Sequence, residues 1–172
     1  MSGFLRSIKR QRDGTYAIRL LEVERRILAE LPVQLATLVE AEPDDPALQR
    51  LFPTAYPHDP EREQEWRLLM SVDLHDKRQA QLRALAETAE ARSLTEEELS
   101  LWAQAFNDLR LFIGTRLDVS EETSHEDFDD EEEQWLFAVY EHLAHLQGQA
   151  IDALSEALPA EGDPAAPQDT EG

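Results

Sequence analysis

Residues 102–117 read W-A-Q-A-F-N-D-L-R-L-F-I-G-T-R-L. Leu99, Trp102, Phe106, Leu109, Ile113 and Leu117 recur at helical spacing, and Leu101, Ala105 and Phe112 widen the stripe. An apolar arc this broad predicts a helix enclosed by its neighbours rather than one lying on the surface. Its start is marked by Thr95 with Glu98 three residues later, a capping box. The polar residues inside the stretch are therefore conspicuous. Asn107, Arg110 and Gly114 fall on one line at i, i+3 and i+7, while Asp108 and Thr115 line a neighbouring face. Buried polar groups need hydrogen-bond partners. Gly114 costs about 1 kcal/mol against alanine in a helix, which points to a close approach at that position. Trp102, Asn107, Asp108, Arg110, Gly114 and Thr115 are thus expected to act as structural cement, within the fold or at a homodimer interface.

Outward from this helix, three more long helices are expected. One runs from Asp130 to Leu158, with Leu136, Tyr140, Leu143, Ala150 and Leu154 inward. One runs from Pro60 to Ala91, capped by Asp59, with Trp66, Leu69, Met70, Leu74, Leu82 and Leu85 inward. The first runs from Leu21 to Glu42, with Ile27, Leu28, Leu31, Leu35 and Leu38 as its face and a kink or break at Pro32. A linker at Glu42–Pro46, a helical turn at Ala47–Phe52 and an extended Thr54–Asp59 separate the first two. Before them, Tyr16, Ile18 and Leu20 alternate with Ala17 and Arg19, and Asp13-Gly14 signals a turn. A three-residue loop, Arg12-Asp13-Gly14, pairs Ile8 with Ile18 and Arg6 with Leu20, with Gly14 left-handed; a two-residue loop would pair Lys9 with Ile18. The predicted fold class is mainly α: a bundle of about four long helices with a small N-terminal β-hairpin at about residues 4–20. Residues 1–158 form the single domain, and 159–172, rich in Pro, Ala, Gly, Asp and Glu, read as a disordered acidic tail.

Composition narrows the function. The 172-residue chain has no cysteine, so disulfides, thiolate metal sites and cysteine nucleophiles are excluded. The absence fits a reducing compartment. No apolar run reads as a signal peptide or a membrane span, so a cytoplasmic protein is expected. Net charge is −21, which makes nucleic acid an unfavourable main partner. The charge is uneven. Residues 1–26 hold seven basic groups (Arg6, Lys9, Arg10, Arg12, Arg19, Arg25, Arg26) against three acidic ones. A solvated basic strand face is the plainer reading; a phosphate-binding arm is the sharper one. Residues 121–133 carry nine carboxylates around Phe128. Asp127-x-Asp129-x-Glu131 has the spacing of a calcium loop, but its sixth position is Glu132 where glycine is required. The run reads instead as a solvated loop leading into a helix N-terminus, or as an acidic docking surface for a basic protein built from Asp127, Asp129, Asp130 and Glu131. His142 and His145 lack the partner motif that a ferritin-like site needs, and read as a partly exposed helical face. No G-x-S-x-G, Walker or Rossmann pattern occurs. No enzyme activity, catalytic residue, cofactor or metal is expected.

Three segments carry a resemblance. These are Gln49-Arg50-Leu51-Phe52-Pro53-Thr54-Ala55-Tyr56, the helix bearing Trp102, Asn107, Asp108, Arg110, Leu111, Gly114, Thr115 and Leu117, and the pair Trp135-Leu136. In order and spacing they resemble an actinobacterial oxidative stress regulator family (AosR-like), formerly described only as a domain of unknown function. The resemblance covers nearly the whole domain, and its middle motif is the most specific part. It implies a cytosolic regulator of oxidative-stress genes, including a cysteine-synthesis operon, acting through protein contact with an alternative sigma factor. The redox-dependent thiol contact linked to that family cannot carry over to a chain without cysteine. Either sensing lies in the partner or this member binds without redox control; Met70, read as core, is not a sensor. The competing reading is an adaptor or scaffold in protein turnover or sulfur metabolism, with no transcriptional role.

Overall fold

A computed structural model describes residues 6–158, and of residue 71 the backbone alone. The tail expected at 159–172 lies outside the described residues. Strands β1 (Ile8–Arg10) and β2 (Tyr16–Ile18) are followed by α1 (Glu22–Ala41), a 3-10 turn at Pro46–Leu48, α2 (Pro60–Thr88), β3 (Ser93–Leu94), α3 (Glu96–Arg116), a 3-10 turn at His125–Asp127 and α4 (Glu131–Ser155). The architecture is mainly helical. Relative to the expectation, two 3-10 turns supplement the four long helices, and the hairpin gains a third strand.

The hairpin register is Ile8 with Ile18, Lys9 with Ala17 and Arg10 with Tyr16. Gln11 N donates to Thr15 O (2.7 Å) and Gly14 N to Gln11 O (3.2 Å), leaving Arg12-Asp13-Gly14 as the loop. Gly14 has φ +86°. The Asp13 carboxylate accepts from Thr15 N (2.9 Å) and Thr15 Oγ1 (2.7 Å). The Thr15 hydroxyl and amide hold Asp13 below its ordinary pKa of 3.8. This register buries Ile8, Tyr16 and Ile18. β3 pairs antiparallel with β2, Leu94 opposite Tyr16. It was not foreseen, because two residues squeezed between a helix end and an N-cap show no period. Ile8 N donates to Gln149 Oε1 (3.1 Å), which ties the sheet to α4.

Helix α3 occupies the centre, packed on α4, on α2 and on the Pro46–Leu48 turn, while α1 packs mainly on α2. Its capping box forms: Thr95 Oγ1 accepts from Glu98 N (3.2 Å), and Thr95 N donates to Glu98 Oε2 (2.8 Å). Leu99, Trp102, Ala105, Phe106, Leu109 and Ile113 are fully buried. Two expectations need correction. Helix α1 runs through Pro32 without a break. Leu28, Leu31, Pro32, Leu35 and Val39 are all buried, and that packing outweighs the one backbone bond that proline omits. On α2, Leu82 and Leu85 are buried as expected, but Leu69 is 76% exposed and Met70 49%. Leu68 and Val72 are exposed as well. With 29 residues against 20 in α1, α2 is roughly 13 Å longer at 1.5 Å per residue. Its first turns have less helix to pack against. Met70 is therefore not core, so burial no longer argues against it as a sensor.

An alanine Cβ at Gly14 would meet nothing within 4 Å, so any penalty there is conformational alone. Gly14→Ala is expected to cost about 1–2 kcal/mol and Gly14→Asn less, because asparagine tolerates the left-handed region. Urea denaturation midpoints at constant m would check both.

Candidate protein-binding surface

Each polar residue of α3 has a traceable environment. Trp102 Nε1 donates to Thr88 Oγ1 on α2 (2.7 Å), and the Thr88 hydroxyl donates onward to Ala84 O (2.6 Å). Asp108, 2% exposed, forms an ion pair with Arg78 of α2. The Arg78 guanidinium lies 5.7 Å from the Phe52 ring centroid. Arg110 Nη1 donates to Gln147 Oε1 on α4 (2.7 Å), its guanidinium 5.2 Å from the Tyr140 ring centroid. A Cβ at Gly114 would lie 3.1 Å from Arg50 Nη1 and 3.3 Å from Tyr140 Cε2, so the close approach is made by side chains of the same chain. Thr115 Oγ1 donates to Leu111 O within its own helix (2.7 Å), and Asn107 is partly buried. Four of the six motif residues thus engage α2, α4 or the segment after α1. Two segments of the sequence resemblance also meet here, since Arg50 faces Gly114 and Phe52 backs the Arg78–Asp108 pair.

Burial raises Asp108 from 3.8 to about 6, against the opposing pull of Arg78 and Lys77. Arg78 was not singled out in the sequence, although it shares a helical line with Leu82 and Leu85, and a cation on an apolar face is a signal of a buried partner. Asp108 lines none of the clefts described below.

The basic N-terminal groups are partly engaged within the fold. Arg25 donates to the carbonyls of Ala89 (2.8 Å), Ala91 (2.8 Å) and Ile18 (3.1 Å), clamping the end of α2 to the sheet. Arg6 pairs with Glu156 (3.1 Å) and Arg26 with Glu22 (3.7 Å). Lys9, Arg10, Arg12 and Arg19 are exposed. At the opposite pole of charge, no lysine or arginine follows Arg116 anywhere in the sequence. Asp127, Asp129, Asp130 and Glu131 are all exposed. Asp130 caps α4 by accepting from Glu132 N (3.1 Å) and Glu133 N (3.2 Å). The acidic run is therefore a solvated loop feeding a helix N-terminus, with its carboxylates facing water.

Clefts among the described residues include the following three. One of about 490 Å³ lies between the end of α1, the Pro46–Leu48 turn and the exposed half of α2, beside Trp66 and His75. A second of about 280 Å³ follows the α1–α2 seam. A third, about 200 Å³, lies between α1 and α4 and is lined by Ile27, Leu28, Trp135, Val139, Leu143 and Leu146. His142 Nε2 lies 2.7 Å from Glu24 Oε1 across it. His145 turns to Gln149 (2.8 Å). Among the described residues no group of three or more His, Asp or Glu side chains is placed to hold a metal ion, and no helix is long and apolar enough to cross a membrane.

Fold and surface together describe a small, strongly acidic helical-bundle protein whose polar core motif serves packing and whose carboxylates face outward. The chain belongs to the family described as a domain of unknown function, DUF2017, whose profile matches residues 2–154. No curated protein and no solved structure matches it significantly.

Two predictions concern the motif. Because Asp108 is raised when folded, the folded state binds its proton more tightly than the unfolded chain. Its contribution to stability is full below about pH 4 and is lost as pH rises through about 6. That component amounts to up to about 3 kcal/mol. Asp108→Asn, whatever its absolute stability, should lack this downward slope between pH 4 and 6, as measured by urea unfolding at several pH values. Gly114→Leu should destabilise by roughly 1–3 kcal/mol or more through overpacking against Tyr140. Gly114→Ala should stay within about 1 kcal/mol, its helix propensity offsetting the tight contact. Thermal or urea unfolding would separate the two.

Proposed function

We propose that the chain is a non-catalytic regulatory protein of the oxidative stress response that works in the cytoplasm by contact with the transcription machinery, its partner an alternative sigma factor. The observation that carries the protein-contact reading is the segregation of charge. Every lysine and arginine precedes residue 117, and the nine carboxylates of 121–133 are met by one surface ion pair among the described residues, Arg116–Glu132 at 3.8 Å. Such a surface repels a phosphate backbone and attracts a basic protein. The transcriptional assignment rests on the resemblance of the 49–56, 102–117 and 135–136 segments to the oxidative stress regulators. With no cysteine in the chain, any thiol chemistry belongs to the partner. The non-catalytic reading is supported by Asp108, whose raised carboxyl is engaged by Arg78 inside the packing and not offered to a cleft.

Affinity capture from the native cell should recover a sigma factor. Association with it should slow as salt rises, because exposed charges more than about 10 Å apart are screened at 0.1 M. Changing Asp127, Asp129, Asp130 and Glu131 to their amides should slow association while leaving the helices intact, since asparagine also serves as an N-cap. Reversing Lys9, Arg10 and Arg12 should matter less. The measurement is association rate against salt for both variants, beside a DNA-binding assay. Tight sequence-specific DNA binding that disappears when Lys9, Arg10 and Arg12 are changed would replace this reading with direct DNA recognition.

A further inference from the structure

We propose that the groove between α1 and α4 receives an amphipathic helix of a basic protein, with Trp135 as the apolar anchor on this chain. The inference rests on the protein-contact reading above and names the face that makes the contact. The four long helices pack in series, α1 on α2, α2 on α3 and α3 on α4, whereas α1 and α4 approach each other little, with the Glu24–His142 pair (2.7 Å) spanning them. The groove they leave is walled by Ile27 and Leu28 on one side and by Val139, Leu143 and Leu146 on the other. Its volume of about 200 Å³ is below the roughly 300–1,000 Å³ of small-molecule sites. It suits one or two large side chains projecting from a docked element. Trp135 lines this groove yet is 51% exposed, and tryptophan is the side chain most favoured as an interface anchor. Exposed Val23, one turn before Ile27, extends the α1 wall. Along α4 the exposed positions at the groove are Trp135 and Ala138, with Val139, Leu143 and Leu146 as its buried floor, so a docked helix would meet it over about one turn around the Trp135 anchor.

Charge decides the occupant. Glu24 in the groove is already engaged by His142 Nε2 (2.7 Å) and the Leu21 amide, so the charge at its mouth is that of exposed Glu131, one turn before Trp135 on the same helical line, directly after Asp127, Asp129 and Asp130. With no lysine or arginine on α4 or its leading loop, only a basic partner is complementary. A second copy of a chain with net charge −21 is repelled. Residues 159–172 hold four acids, no lysine or arginine, and no side chain large enough to fill the groove.

The test uses the full-length chain with a synthetic amphipathic peptide of leucine and lysine at helical spacing. A scrambled peptide of the same composition is the control. Binding is read by calorimetry and by amide shifts in NMR. The amphipathic peptide is expected to bind with shifts centred on 24–28 and 135–146, and the scrambled one to bind about tenfold or more weakly. Trp135→Ala, and separately Ala138→Arg at an exposed groove position, should each weaken binding about tenfold or more with unchanged melting. Leu69→Ala on the exposed face of α2 should leave it unchanged. The proposal is overturned if the scrambled peptide binds equally, if Trp135→Ala has no effect, or if the shifts map to α2. It is also overturned if sedimentation shows a dimer that Trp135→Ala dissociates, or if removing 159–172 exposes a groove the tail had filled. Groove binding without sigma-factor capture would leave this inference standing and remove the transcriptional one. Sigma-factor capture indifferent to Trp135→Ala would do the reverse.

Discussion

Helix α3 is enclosed by α2, α4 and the Pro46–Leu48 turn, and that enclosure sets the terms for everything around it. A helix buried on so many sides cannot send its polar groups to water. An unpaired buried polar group costs about 1–3 kcal/mol, more if charged. The neighbours must therefore supply partners at fixed places: Thr88 for Trp102, Arg78 for Asp108, Gln147 and Tyr140 for Arg110. Each of these pins one neighbour in register and rotation against α3. The apolar stripe supplies the driving force, while the polar contacts select one arrangement among many that would bury similar area. The Arg78–Asp108 pair illustrates the balance. Removing two charges from water is unfavourable enough to push Asp108 to about 6 even with a guanidinium beside it, so the pair specifies more than it stabilises.

The same enclosure explains why one side of the bundle stays open. With α2 and α4 on different flanks of α3, and α1 held chiefly by α2, the first and last helices are kept apart. Their inward residues Leu28, Leu143 and Leu146 are still buried, so the gap is shallow, and only the rim residues such as Trp135 and Val23 remain in water. The groove is thus a product of how α3 is packed and not of a loop that happens to stand aside.

Much of this fold was legible in the sequence wherever a local rule applied. Asp-Gly with alternating apolar residues gave the hairpin register, and Thr95 with Glu98 and Asp59 with Pro60 gave two helix starts. The errors fell where local rules assume a context that is missing. Periodicity placed Leu69 and Met70 inward, but α2 outruns its neighbours. Pro32 predicted a kink or a break, and the helix is continuous there because burial on both sides of it holds α1 together. β3 is two residues long and exists only because β2 offers an edge. At the candidate surface the acidic run was legible because charge is written in composition. The groove was not, because it depends on which helix pairs fail to meet, a property of the whole packing. Trp135 lies beside buried Leu136 in sequence, and only the rotation of α4 against α3 decides which of them faces the core.

Charge and packing are coupled in a further way. The cations lie at or before Arg116, and several are used inside the fold: Arg25 on three carbonyls, Arg78 on Asp108, Arg110 on Gln147. The acids after residue 117 have few such counterparts, the Arg116–Glu132 and Arg6–Glu156 pairs being surface contacts of 3.8 and 3.1 Å. Pairs that exposed contribute about 0–1 kcal/mol and leave the field of the surface largely uncancelled. With Arg25, Arg78 and Arg110 engaged inside the fold, the surface that follows residue 117 carries no lysine or arginine, while Lys9, Arg10, Arg12 and Arg19 stay exposed at the sheet. That acidic stretch is the surface on which the proposed contact with a basic protein rests.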